Sequence, residues 1–241
     1  MEYFKKYYIV YVLVFAAVCA SALIVSQQAE LIHQTMSEAE AEPVVVIDAG
    51  HGGEDGGAVS VSGVKESDLN LQISLRLNDL CTLLGIRTNL LRSEDTALYQ
   101  AGAETLSQKK VSDLRHRVEL INETAGGLLV SIHQNSYPES KYYGAQVFYA
   151  ETEGSQELAE LLQQKIGESL DTSNRRTCKK SQTVYLMEHV KCPAILLECG
   201  FLTNATEEGK LRSAEYQKQI ACTVISALTE YLQPSAEDNS V

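Results

Sequence analysis

Three apolar runs, each ending in a polar side chain, set what this chain can fold into. They are Val44-Val45-Val46-Ile47 before Asp48-Ala49-Gly50-His51, residues 128–132 before His133, and residues 194–197 before Glu198. An unbroken apolar run of this length reads as a strand buried on both faces, the habit of parallel sheets covered by helices. Helical patterns lie between them. Residues 67–84 carry apolar side chains at 69, 73, 77, 80, 81 and 84, and Gly85 stops the run. Residues 114–122, 158–170 and 215–231 also read as helices. Residues 86–91 and 145–149 read as further strands, 184–186 as a short one, and 99–112 as a polar loop. Strands alternating with helices predict an α/β fold, a single three-layer domain with a mostly parallel central sheet. In such sheets ligands bind beyond the carboxyl ends of the strands. His51, His133 and Glu198 all lie at those ends.

The residue types at that edge point to metal hydrolysis. His51 sits between glycines in DAGHGG, where the backbone can crowd a ligand and adopt positive φ. The stretch matches neither dinucleotide nor P-loop spacing, and no lysine follows closely. Glu66 stands at a helix start, and alone would be an ordinary first-turn acid. Glu198 interrupts the otherwise apolar Ala194-Ile-Leu-Leu-Glu-Cys-Gly-Phe. A carboxylate there needs a partner or a metal, and such groups often have raised pKa values and catalytic roles. Two imidazoles and one carboxylate make a three-ligand catalytic zinc site with a position open to water, and the second carboxylate is then available as general acid/base. His33, His116 and His189 have weaker cases, since His33 falls in a polar linker and His116 lies between Arg115 and Arg117. Arg175, Arg176, Lys179 and Lys180 form a local basic cluster, read as a solvated loop or as a contact for substrate carboxylates or a partner.

Charge narrows the partners. The net charge is −12, which argues against nucleic acid and against simple adhesion to anionic polymers. Six cysteines occur without a CxxC pair. An even count outside the cell is compatible with disulfides, but Cys81, Cys199 and Cys222 lie in apolar patterns that favour burial. Residues 8–25 carry no charge, follow Lys5 and Lys6, and precede Glu30, Glu38, Glu40 and Glu42. At about 1.5 Å per residue such a helix approaches a bilayer core of about 30 Å. Residues 1–26 are therefore expected to be a transmembrane anchor with the amino terminus inside. The alternative is a signal peptide cut after Ala20-Ser21-Ala22. Residues 27–42 read as an acidic linker, 43–232 as the catalytic domain and 233–241 as an acidic tail. The expected location is the bacterial membrane with the domain facing outward, or outside the membrane if the segment is cleaved.

The assembled motifs VVVIDAGHGGEDGGA, the Lys65-Glu66 pair, LRHRVELIN, SIHQN and LLECGFLTN resemble the zinc-dependent N-acetylmuramoyl-L-alanine amidases of the amidase-3 type. The resemblance runs from about Val44 to Leu232. It implies that His51, Glu66 and His133 ligate Zn2+ and that Glu198 is the catalytic acid/base. It implies cleavage of the amide between muramic acid and L-alanine in peptidoglycan. Gln134-Asn135-Ser136 departs from the Ala-Asn-Ala of many members, beside His133. KKVSDLRHRVELINE and VYLMEHVKCPAILLECGFLTN look like the spore-cortex branch, where the amidase prepares muramic δ-lactam formation, which places the domain in the forespore intermembrane space. The absence of wall-binding repeats, with the acidic charge, leads us to expect an exported activator that binds residues 99–112 or the 175–180 cluster. Two rivals stay open: an exported wall-binding or activator protein without turnover, and a zinc peptidase cutting the stem peptide.

Overall fold

Every residue of β1 (Val44–Ala49) is buried, its apolar Val44–Ile47 run on both faces of the sheet and Asp48 with it. The computed structural model describes residue 7, residues 19–21, 23–28 and 42–233. From β1 the chain runs through α1 (Glu66–Leu83), β2 (Arg87–Leu90), α2 (Leu106–Asn122), β3 (Gly127–Asn135) and β4 (Gln146–Tyr149). It continues through α3 (Ser155–Lys165), a π-helical turn (Ile166–Leu170), β5 (Lys179–Lys180), α4 (Tyr185–His189), β6 (Ala194–Phe201), α5 (Ala205–Leu211) and α6 (Ala214–Tyr231). The sheet order is β2-β1-β3-β6-β4-β5. β2, β1, β3 and β6 are parallel, and β4 runs antiparallel to β6.

Alternation along the strands splits the core into two layers. Ile47, Val130, Ile132 and Leu197 face one cluster with Ile73 and Leu77 of α1, Leu158 and Leu162 of α3, and Val224 and Leu228 of α6. Val46, Leu129 and Leu196 face the other, with Ile121 of α2 and Leu186 and Met187 around α4. The expected three-layer α/β domain with a mostly parallel sheet is therefore found, with β4 and the short β5 reversed relative to the other four strands.

Several local expectations change. Residues 99–112 are not a loop throughout, because α2 starts at Leu106. Its first turns bury almost nothing, so periodicity there is silent, but Thr105 and Gln108 close a capping box. Residues 184–186 form no strand; Val184 is the N-cap of α4, whose Leu186 and Met187 are buried. Helix α5 and strand β5 were not expected. Cys222 is exposed on α6, and all six cysteines are free. Among the described residues no helix is long and apolar enough to cross a membrane. Most of the expected anchor, the linker and nearly all of the acidic tail lie outside the described residues.

Candidate metal centre

The Asp48–Gly53 loop leaves β1 and turns sharply over the strand ends. His51 adopts φ 62°, the one positive φ among described non-glycine residues. Such a conformation costs about 1–3 kcal/mol and persists where surroundings enforce it. Two buried arginines do the enforcing. Arg117 on α2 donates to the His51 carbonyl at 2.8 Å and to the Ala49 carbonyl at 3.1 Å. Arg92 donates to Ala49 O at 2.8 Å, Gly50 O at 3.1 Å and Ser67 O at 2.9 Å. Arg117 is itself fixed by Asp48 and by Asp113 at 2.6 Å. Asp48 receives a second bond from Ser131 Oγ at 2.6 Å. Burial alone would raise the Asp48 pKa, but the Arg117 charge and these bonds hold it below the usual carboxylate range.

Glu66 opens α1 and points into the same space. Its Oε1 lies 3.3 Å from His51 Nε2 and 2.9 Å from His133 Nδ1. The three donor atoms all fall within 4.8 Å of one another. A tetrahedral zinc with bonds of about 2.0–2.1 Å needs donors roughly 3.3 Å apart, so this donor set fits that ion in chemistry and spacing. Glu66 also accepts from the amides of Ala58 at 2.9 Å and Gln134 at 3.1 Å. Burial opposes its ionisation, yet the bonds to His133 and His51 prevail and push its pKa far down. His51 Nδ1 meets Asp55 Oδ2 at 2.9 Å, leaving Nε2 to face the cluster. Burial disfavours the imidazolium, but Asp55 and Glu66 outweigh it and lift the His51 pKa to about 9.

Close packing explains two glycines. A Cβ on Gly50 would stand 2.2 Å from the His133 ring, and one on Gly57 would stand 2.6 Å from Glu66 Oε2.

Glu198 lies in β6, in register with His133 of β3. Its Oε2 is buried and has no hydrogen-bond partner among the described residues. Burial raises its pKa to about 7, against the opposing pull of His133. Beside His51 lies a cavity of about 150 Å3, with Ala97, Tyr99, Leu106, Lys109 and Lys110 in its lining.

All four residues singled out from the sequence thus meet at one sheet edge. His116 and His189 do not join them: His116 pairs with Glu119 at 3.3 Å, and His189 stacks on Tyr185. His33 lies outside the described residues. Gln134 touches Glu66 through its amide and Asn70 through its side chain at 3.1 Å. Arg117, Arg92 and Asp55 were not anticipated as parts of the site. Arg117 had a signal, because it falls four residues before Ile121 and four after Asp113 on the buried face of α2.

The N-acetylmuramoyl-L-alanine amidase family model (Amidase_3) matches residues 45–230. The germination-specific N-acetylmuramoyl-L-alanine amidase of Bacillus subtilis (strain 168) is 34% identical over 189 residues, 78% of this chain and 79% of that protein. Among solved structures, the CwlD amidase from Clostridioides difficile in complex with the GerS lipoprotein superposes with a TM-score of 0.76 at 36% identity, covering 79% of this chain and 98% of that one. The amidase AmiC2 of Nostoc punctiforme gives a TM-score of 0.70 at 30% identity, over 80% of this chain and 99% of that one. This chain therefore belongs to the N-acetylmuramoyl-L-alanine amidase family and is an enzyme of that family.

Proposed function

We propose that this enzyme uses zinc, held by His51, Glu66 and His133, to hydrolyse the amide between N-acetylmuramic acid and L-alanine in peptidoglycan. The observation that carries the reading is the convergence of three donor atoms within 4.8 Å, with Glu198 in register beside His133. When bound, zinc would supply a water of pKa lowered from about 15.7 towards about 7 and a positive charge facing the scissile carbonyl.

The chain's own residues supply the rest. Glu198 accepts the proton of the attacking water and returns it to the leaving amine. Its buried Oε2, with no competing donor, suits a group that must both take and give a proton. Glu66, ionised by its surroundings, suits a ligand. Asp55 orients His51, as a carboxylate behind a ligating imidazole does. Arg117 and Arg92 hold the loop in its strained form.

The finer reading is a spore-cortex role, in which removal of the peptide permits muramic δ-lactam formation. Its support is the likeness to the germination-specific relative. On this reading residues 1–26 anchor the chain or serve as a cleaved signal, and residues 43–232 act outside the membrane. An exported activator is also proposed, because the similar CwlD amidase is seen with the GerS lipoprotein. The test is incubation of the purified protein with muropeptides, with and without zinc, followed by mass spectrometry. Zinc-dependent release of peptides beginning with L-alanine is expected. Release of fragments cut within the stem peptide would replace this reading with a peptidase.

A further inference from the structure

The basic cluster after β4 contains two arginines that the reading above does not use, and one of them, Arg176, is held in a fixed orientation. Arg176 is not a loose surface side chain. Its Nε donates to the Tyr143 carbonyl at 2.8 Å, and its Nη1 donates to Gln146 Oε1 at 2.7 Å. Its guanidinium carbon lies 4.7 Å from the centre of the buried Phe201 ring. These contacts fix the plane of the group. An arginine has five N–H donors, and those on Nη2 make no hydrogen bond among the described residues. Lys180 in the same cluster pairs with Glu151 at 2.6 Å, whereas Arg176 pairs with no carboxylate among the described residues. An oriented, unpaired guanidinium in a chain of net charge −12 is a ready partner for an anion.

The sheet order says where this group stands. The metal-ligand candidates rise from β1 and β3, Glu198 lies in the next strand, β6, and β4 follows. Gln146 of β4 is in register with Glu198. Arg176, bonded to Gln146, therefore stands on the flank of Glu198 opposite to His133. If Glu198 protonates the leaving amine, the amine lies over β6. The peptide attached to that amine then continues away from the histidines, over β4. The loop it would meet is held in place. Asn204 Nδ2 donates to Ser140 O at 2.9 Å and Tyr142 O at 3.2 Å, and the Gly144 amide donates to Glu207 at 2.9 Å.

We infer that Arg176 is the carboxylate-binding residue of a stem-peptide subsite that begins at Gln146. This rests on the assignment of Glu198 as the acid/base. In peptidoglycan the residue after L-alanine is a glutamate linked through its side-chain carboxyl, so its α-carboxyl is free or amidated. Arg176 would favour the free acid. It recognises the group that leaves, so it acts on substrate choice and not on the bond-breaking step.

The test uses two disaccharide-peptides that differ only in a free carboxylate or a carboxamide at that residue. The whole protein and its Arg176→Gln and Arg176→Lys variants are compared on both. For the acid, Arg176→Gln should raise KM roughly 10- to 100-fold, the scale of one charge-assisted hydrogen bond, with kcat little changed. The amide should be cut alike by wild type and Arg176→Gln, and Arg176→Lys should recover part of the loss. A purely structural role would impair both substrates equally, and that result overturns the inference. So does a wild type that treats acid and amide alike. If wild type cuts neither, the amidase reading fails by itself. Binding of the two compounds to Glu198→Gln then still decides the point, and equal affinity for both overturns the Arg176 assignment.

Discussion

Glu66 and Glu198 face the same strand edge, yet their surroundings are opposite. Glu66 meets two imidazoles and accepts from two backbone amides, and its pKa is pushed far down. Glu198 has a buried oxygen with no partner among the described residues, and its pKa rises to about 7. Neighbouring carboxylates whose environments drive their pKa values apart serve different roles. On the proposed reading the difference separates an always-charged ligand from a group able to carry a proton.

The largest expected effect comes from breaking the second half of that contrast. Glu198→Gln keeps the shape and removes the proton acceptor, so turnover should fall by roughly 10²- to 10⁴-fold. Wild-type kcat/KM should drop as pH falls, because the ionised form is needed. Burial places the group near 7 without metal, and a bound cation moves that acid limb lower. The limb should vanish in Glu198→Gln, and its persistence there would point to another base.

Breaking the brace beneath the His51 loop tests the scaffold on which Glu66 meets the imidazoles. Arg117→Ala leaves Asp48 buried and uncompensated, which should destabilise the domain by about 3–5 kcal/mol in urea unfolding at neutral pH. The folded-state pKa of Asp48 lies below its ordinary value of 3.8. Its contribution is therefore present above that value and lost as pH falls through the folded pKa. Wild type should lose its advantage over Arg117→Ala in acid. A gap that stays constant down to pH 2 would contradict the pairing.

A smaller effect sharpens the contrast. Asp55→Asn removes the carboxylate behind His51 Nδ1. Zinc affinity, read by competition with a chromophoric chelator, should weaken roughly 10- to 100-fold, while folding stays intact. Unchanged affinity would reduce Asp55 to a loop contact. The smallest effect is a control: Thr105→Ala opens the capping box of α2 and should cost about 1 kcal/mol or less. Zinc content and rate should not change.

The apolar runs before Asp48, His133 and Glu198 made the central strands readable, because burial on both faces leaves no polar alternation. They also brought three of the four site residues to one edge. Glu66 was different, since a helix-start acid has a common local explanation and stood out only beside the motifs. The start of α2 was hidden because its exposed turns bury nothing, so only the Thr105–Gln108 cap marked it. Arg92 was illegible as a site residue because its partners are backbone carbonyls, and carbonyls carry no sequence signal, whereas Arg117 at least shares a helix face with Asp113 and Ile121. The π-helical turn and the two-residue β5 are too short to leave a period.

The contrast between the two carboxylates is tested most directly by the metal content of Glu66→Gln and Glu198→Gln, purified side by side and measured by mass spectrometry. Near-stoichiometric zinc in Glu198→Gln and little in Glu66→Gln is the predicted result. Full zinc in Glu66→Gln, or its loss from Glu198→Gln, would contradict the division of roles.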